Sequence, residues 1–270
     1  MNRHQPILHL ALAVGAVFIL APFVLMLVTA FSPPGDVAAG RLVPDSLTLE
    51  NFRAALGRVP IIHYYLNGLR VSTAIFVGQV LLAIPAAYAL ARLRFRGSKL
   101  GLWTVLVCLM VPYQVTAIPV YVLLRKLDLI NTLAALVLPF IGSAFGVYLL
   151  RQFFLTIPQA VFDAARIDGA GTVAVLTRVV LPMSRPALVA FSIFSFVGHW
   201  NDYFWPSFVL TDDHAATVPF GIVAFLNSET GTDYGAQMAT ATLAVLPLLV
   251  GFLLAQRQFI GGLALSGQLD

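Results

Sequence analysis

The sequence predicts an all-α integral membrane protein of six transmembrane helices, with one polar helical hairpin between the fourth and the fifth. Three observations carry this. Of the 270 residues, 59% are hydrophobic and 10% charged, where soluble domains carry about 25% charged residues. Six apolar runs match the roughly 20 residues that cross a bilayer. The lysines and arginines stand at the ends of those runs rather than in one patch. The net charge of +4 therefore reads as membrane orientation, not as nucleic-acid binding.

The runs come in order. The first is residues 7–31. Arg3 and His4 precede it and Val-Thr-Ala at 28–30 resembles a cleavage site, but a signal peptide's apolar core is only about 7–15 residues, so an uncleaved span is expected. Residues 32–66 form a long segment punctuated by proline and glycine, outside the membrane. Within it, SLTLENFRAAL predicts a short helix capped by serine or threonine. The second span is 71–91, the third 100–124 and the fourth 129–150. The fifth, 186–210, carries one charge, Asp202; the sixth is 234–256. The single cysteine, Cys108, lies in an apolar run and excludes an internal disulfide and a cysteine-built metal cluster.

Loop charges set the orientation. With both termini cytoplasmic, Arg3, Arg92, Arg94, Arg96, Lys99, Arg151, Arg166, Arg178, Arg185 and Arg257 lie inside. Arg41, Arg53, Arg58, Arg70, Arg125 and Lys126 lie outside. The bias has the expected direction. The last outer loop carries Asp212, Asp213, Glu229 and Asp233 and no lysine or arginine.

Between spans four and five stands DAARIDGAGTVAVLTRVVLP, 163–182. Ile157-Pro158 permits a helix start, and the alanine-rich stretch 159–167 predicts a helix. Asp168-Gly169 is a turn in which the glycine reaches positive φ. A second helix follows, with Val175, Leu176 and Val179 on its apolar face, and Pro182 is expected to stop it. Ala164 and Ala165 leave room for a partner to approach the backbone. The alternative is a helix lying on lipid headgroups.

Several function classes fail. A P-loop needs G-x-x-x-x-G-K-[ST], and the two lysines, Lys99 and Lys126, follow serine and arginine. Ion-coupled carriers place several ionisable groups in the membrane; here Asp202 stands out. Neither HExxH nor GxSxG is present. A pump built this way takes its energy from another protein, through a docking element.

The hairpin spacing resembles the "EAA" loop of permease subunits of binding-protein-dependent ABC importers. That pattern is E-A-A, two residues, D-G-A, eight residues, then an apolar residue, any residue, and L-P. Here it reads Asp163-Ala164-Ala165, Asp168-Gly169-Ala170, Val179 and Leu181-Pro182, with aspartate in the first place. The chain resembles the carbohydrate-uptake subfamily, and the maltose-type second permease subunit within it. NGLRVS (67–72), AAYALARLRFRG (86–97), VPYQVTAIPVY (111–121), YLLRQFFLTIP (148–158), WNDYFWP (200–206) and QRQFIGGL (256–263) carry that likeness. Asp128 stands where a glycine is common, and the end ALSGQLD departs from the common tail.

The resemblance implies a type I ABC importer permease fold. Residues 1–66 would be the first helix and extracytoplasmic segment, 67–260 the permease core with its coupling loop at 156–182, and 261–270 a cytoplasmic tail. It implies a multi-pass bacterial-type cell membrane protein that translocates a sugar or oligosaccharide. A homologous second permease, in a heterodimer, two cytoplasmic ATPases and an extracytoplasmic solute-binding protein would be its partners. ATP and Mg would bind the ATPases; this chain would hold no cofactor, metal or catalytic residue. Asp163, Ala164, Ala165, Arg166, Asp168, Gly169 and Ala170 would couple to an ATPase.

Sugar recognition uses aromatic faces and side-chain hydrogen bonds. Trp200, Asn201, Asp202 and Tyr203 are the first candidates for a substrate path, followed by Tyr113, Gln114, Tyr121, Asn67 and His199. The alternatives are an Asp202 satisfied by a neighbouring helix, and tyrosines anchored at the membrane interface. A glycerophosphate or polyol cargo is the rival reading, with Arg70 as the candidate phosphate partner. A freestanding channel or enzyme is the rival from another class.

Overall fold

A computed structural model of the chain describes residues 5–225 and 233–266. Arg3, His4, Glu229 and the last residues of ALSGQLD lie outside the described residues, as does the side chain of Arg257. The described residues form helices and turns, with no strand among them. The helices are α1 (Gln5–Phe31), α2 (Pro34–Ala38), α3 (Glu50–Arg58), α4 (Ile61–Arg92), α5 (Ser98–Met110), α6 (Ala117–Lys126), α7 (Leu133–Val137) and α8 (Ala144–Thr156). The hairpin follows as α9 (Gln159–Ile167), α10 (Thr172–Val175), a π-helical stretch (Leu176–Val180) and α11 (Leu181–Met183). Then come α12 (Arg185–Trp200), α13 (Phe204–Val209), α14 (Val218–Ile222) and α15 (Tyr234–Ser266).

Three unbroken helices are long and apolar enough to cross a bilayer: Leu8–Phe31 of α1, α4, and Tyr234–Gly251 of α15. Three bent pairs supply the rest. The third expected span is therefore not one rod. α5 and the Tyr113–Lys126 segment meet at 92°, because Pro112 removes an amide and pushes Val111 to extended φ −89°, ψ 114°. The fourth bends by 41° after Phe140, where a 3₁₀ turn holds Pro139. The fifth ends early: α12 stops at Trp200, and 201–203 separate it from α13. The sixth helix runs past the expected boundary to Ser266.

The chain forms two compact units, Met1–Tyr64 with Val218–Phe252, and Tyr65–Thr217 with Leu253–Asp270. In the first, α1 is apolar on every side and its most hydrophobic stretch is not buried at all, so its surroundings must themselves be apolar. Its last carbonyls are closed by Asn51 of α3. The Asn51 Nδ2 donates to Ala30 O at 3.1 Å and Ser32 O at 2.7 Å, satisfying groups that a helix end leaves open. The cap of α3 differs from expectation: Leu49 holds the cap position without a side-chain bond, and Thr48 Oγ1 accepts from the Glu50 amide at 3.2 Å. Two supposed outer cations are paired within this unit, Arg41 with Asp36 at 3.0 Å and Arg58 with Asp233 at 3.0 Å.

The second unit contains the hairpin and its core. Ala83, Ala87, Leu150, Phe154, Phe162, Ala165, Val175 and Val180 pack together, from α4, α8 and both hairpin arms. A buried polar knot lies further along α4. Ser195 Oγ donates to Gln79 Oε1 at 2.7 Å, and Gln79 Nε2 donates to Phe140 O at 2.9 Å and faces His199 Nε2 at 3.2 Å. Such a knot fixes three helices in one arrangement, since an unmade bond away from water is costly.

The turn after α6 uses an aspartate in an unusual place. Asp128 has φ 53°, and Leu129 N bonds to Leu124 O at 3.0 Å while Asp128 N bonds to Arg125 O at 3.2 Å. This is a Schellman ending, in which glycine normally holds the left-handed position.

Candidate functional site

The hairpin begins as the sequence predicts, with a helix from Gln159 to Ile167. One face of α9 is committed inward: Phe162 is 5% and Ala165 8% exposed. This corrects the reading of Ala165 as open space for a partner. A bulky residue there would strike the chain's own core. Ala164, with Asp163, Arg166 and Asp168, is exposed. Asp163 accepts from Gln159 Nε2 at 3.0 Å and lies 3.6 Å from Arg166. Both partners of that pair are exposed, so it adds little stability.

The turn is a Schellman motif. Gly169 N bonds to Arg166 O at 3.0 Å and Ala170 N to Ala165 O at 2.9 Å, with Gly169 at φ 74°. The second arm differs from expectation after Val175. It passes through the π turn and continues to Met183, so Pro182 does not stop it. Pro182 lies in α11, which follows the π turn directly, two residues before the helical run ends at Ser184. The chain turns instead at Ser184, by 77°, into α12.

Sequence reasoning missed three features here. Ile167 is 86% and Val173 73% exposed, an apolar pair on an otherwise polar tip. Arg92, read only as an orientation charge, is the hairpin's anchor. From the end of α4 it donates to Phe154 O at 2.6 Å and to Ile157 O, and its guanidinium lies 4.2 Å from the Phe162 ring centroid. Arg151 answers from α8 by donating to Leu90 O at 3.2 Å. The only sequence signal was Arg92's position as the last residue of a long apolar run.

The expected substrate-path residues separate into two groups. Trp200 and Asn67 are 4% and 1% exposed. Trp200 stacks on Tyr65 at 5.9 Å, and Asn67 Nδ2 donates to His214 O and Ala216 O at 3.0 Å each. Both hold the fold. Asn201 bonds back to Val197 O at 2.9 Å. Tyr113, Tyr121 and Asp202 come together with residues the sequence did not mark. Tyr113 meets Phe140 at 5.7 Å and Phe204 at 5.6 Å, both edge-on. Phe204 stacks on Phe208 at 5.9 Å, and Tyr121 meets Phe208 at 5.5 Å. Tyr113, Tyr203, Phe204 and Phe208 remain between 37% and 43% exposed, and Gln114 is exposed beside them.

Asp202 is half-buried. Its Oδ1 accepts from Tyr113 OH and from the Trp205 amide, each at 3.3 Å. The second bond satisfies an open amide in the first turn of α13 from the residue before its cap position, Tyr203. Both donors are neutral, so an amide can replace the carboxylate. Asp202→Asn is therefore expected to keep assembly and uptake within about twofold of normal, whereas Asp202→Ala loses about 1 kcal/mol at this helix start and lowers uptake. Uptake and subunit pull-down on the two variants check this; an inactive but assembled Asn variant would assign the role to the charge itself.

Among the described residues no group of three or more His, Cys, Asp or Glu is placed to hold a metal ion.

Residues 79–260 match the family described as binding-protein-dependent transport system inner membrane component. The arabinooligosaccharides transport system permease protein AraQ of Halalkalibacterium halodurans is 31% identical, over 98% of each chain. The sn-glycerol-3-phosphate transport system permease protein UgpE of Pectobacterium atrosepticum is 34% identical, over 94% of each. The diacetylchitobiose uptake system permease protein NgcG of Streptomyces coelicolor is 31% identical, over 97% of this chain and 88% of the relative. A crystal structure of a bacterial ABC transporter involved in the import of the acidic polysaccharide alginate contains a chain of the same fold. Its TM-score is 0.83 at 22% identity, covering 96% of this chain and 99% of that one.

Proposed function

The chain belongs to the binding-protein-dependent transport system inner membrane components, a permease subunit of an ATP-driven importer, and from that premise we propose that its hairpin docks an ATPase and that its cargo is a sugar or oligosaccharide. The observation that carries the docking role is the hairpin's construction. Arg92 ties α9 to the ends of α4 and α8, while the tip exposes Ile167, Val173 and the acidic Asp163 and Asp168. An element fixed at its base and open at its tip transmits a rigid push, whereas a loose loop absorbs it. Ala164, Arg166, Gly169 and Ala170 belong to this surface or shape it. ATP and Mg bind the ATPases and not this chain, and closure of the ATPases moves the hairpin and switches the helices between outward and inward access.

A second, homologous permease in a heterodimer, an extracytoplasmic binding protein and cytoplasmic termini complete the proposal. The orientation has its own test. A cysteine at the exposed Thr177 is expected to react with an impermeant thiol reagent only from the cytoplasmic side; reaction from outside intact cells would overturn both the orientation and the docking role.

The sugar reading rests on the aromatic row of Tyr113, Phe204, Phe208 and Tyr121. It carries one carboxylate, Asp202, and no lysine or arginine in its ring contacts. Ring faces and neutral hydrogen bonds suit sugars, while a carboxylate repels phosphate. Two of the relatives named above are uptake permeases for oligosaccharides. The glycerophosphate reading draws on the UgpE relative and on Arg70, which is exposed and makes no ion pair among the described residues. Uptake of labelled oligosaccharides and glycerol phosphates by the reconstituted complex decides between them. Sugar uptake that glycerol phosphates do not compete supports the first reading; the reverse result replaces it with the second.

A further inference from the structure

A cavity of about 650 Å³ opens between the end of α4 and the hairpin. Arg92, Arg94 and Arg166 line it together with Tyr88, Phe162 and Thr172, and no carboxylate does. The positive charge is largely uncompensated. Arg92 spends its donors on carbonyls and on the Gln159 amide oxygen, and its plane on a ring, all of them neutral. Arg94 makes no hydrogen bond or ion pair among the described residues. Arg166 has only its exposed pairing with Asp163. Tyr88 is 6% exposed yet faces this cavity; it interacts electrostatically with Arg92 and makes no hydrogen bond among the described residues. The guanidiniums of Arg94 and Arg166 with a phenol and a threonine hydroxyl make a donor set suited to phosphate oxygens, and Arg92 adds its charge to the lining.

The surroundings select the source of that phosphate. The cavity lies where a membrane helix ends. Leu93 and Phe95, on either side of Arg94, are 42% and 47% exposed, and Leu100 and Trp103 on the adjoining α5 are 72% and 65% exposed. Basic groups in a pocket, with apolar and indole side chains beside them at a helix end, match a lipid headgroup with its chains alongside. The geometry points to a phosphate-binding site for the headgroup of an anionic phospholipid, held between the second span and the coupling hairpin. Bound there, the lipid bridges Arg94 of the span exit to Arg166 of α9. The anionic lipid content of the membrane then bears on how firmly the hairpin is seated. This site is separate from the cargo reading, and its test reads lipid rather than transport.

The complete transporter, this chain with its partner subunits, is placed in nanodiscs of phosphatidylcholine containing a minor fraction of phosphatidylglycerol. Retained lipid is then counted by native mass spectrometry. Arg94→Gln is expected to lower the preference for phosphatidylglycerol about fivefold, the bias that one basic residue gives near an anionic lipid. Arg94→Lys, which keeps the charge, is expected to retain most of it and so separates loss of charge from misfolding. Added inorganic phosphate is expected to leave the retained lipid in place. An unchanged preference in Arg94→Gln overturns the site. Displacement by inorganic phosphate assigns the cavity to a soluble anion and overturns the lipid. Cross-linking of a cysteine at position 94 to an ATPase subunit, with no lipid retained, assigns the cavity to that protein and overturns it as well.

Discussion

Arg92→Ala is expected to leave six-span insertion and permease pairing intact and to abolish most cargo-stimulated ATP hydrolysis. The guanidinium makes charge-assisted hydrogen bonds to carbonyls at the end of α8 and lies against the Phe162 ring. Water replaces part of this when the side chain is removed, because the site is only half-buried. The remaining loss is about 2 kcal/mol, a roughly thirtyfold shift toward hairpins that are not seated on the helix ends. The apolar contacts that fold the spans are untouched. Lysine is a poor substitute: one ammonium cannot serve several carbonyls and a ring with the planar geometry of arginine. Arg92→Lys should recover only part of the activity. Limited proteolysis within 157–171, together with hydrolysis assays on the reconstituted complex, checks the result. Normal protection and normal hydrolysis in Arg92→Ala would remove the anchor from the account.

Gly169→Val is expected to weaken ATPase attachment through the backbone alone. At φ 74° the residue lies where an L side chain is strained, and a β-carbon built there meets no atom within 4 Å. Sterics with neighbours therefore contribute nothing, and the cost is conformational. It is about 1–2 kcal/mol for an ordinary residue and larger for a β-branched one. Asparagine tolerates this region, so Gly169→Asn should bind the ATPase nearly normally, with alanine between the two. Pull-down of the ATPase across Asn, Ala and Val gives the ordering. Equal binding by all three would mean that the turn's shape does not govern docking.

The parts of this molecule that were legible in the sequence are those governed by local chemistry. Apolar length marked where spans occur, and Asp168-Gly169 marked the hairpin turn, because each depends on residues within a few positions. The bends were not legible as angles. Pro112 and Pro119 announce disturbance, but whether a chain bends by a little or by 92° depends on what packs around it. Ala165 was misjudged for a related reason. Alanine is small wherever it stands, and only the fold shows that its methyl joins the core beside Phe162 rather than pointing outside. Gln79, Ser195, His199 and the carbonyl of Phe140 were unreadable as a group, since they meet across 61 to 120 positions of chain. The aromatic row was half visible: WNDYFWP supplied the rings, while Tyr113 and Tyr121 join them only through tertiary contact.

The π turn in the second hairpin arm has a consequence for chain length. A π turn holds about one residue more than an α turn, and here it places Val175 and Val180, five positions apart, both inside at 5% and 0% exposure. In an α-helix residues four apart share a face, whereas residues five apart do not. Deleting one outward residue between them, such as Thr177, converts the pair to α spacing and keeps both valines inward. The same deletion in α9 has no slack to consume and turns Ala165 away from the core. A chain lacking Thr177 is therefore expected to keep the second arm packed, and a chain lacking one residue of α9 is not; proteolytic protection of the two deletion variants reads the difference.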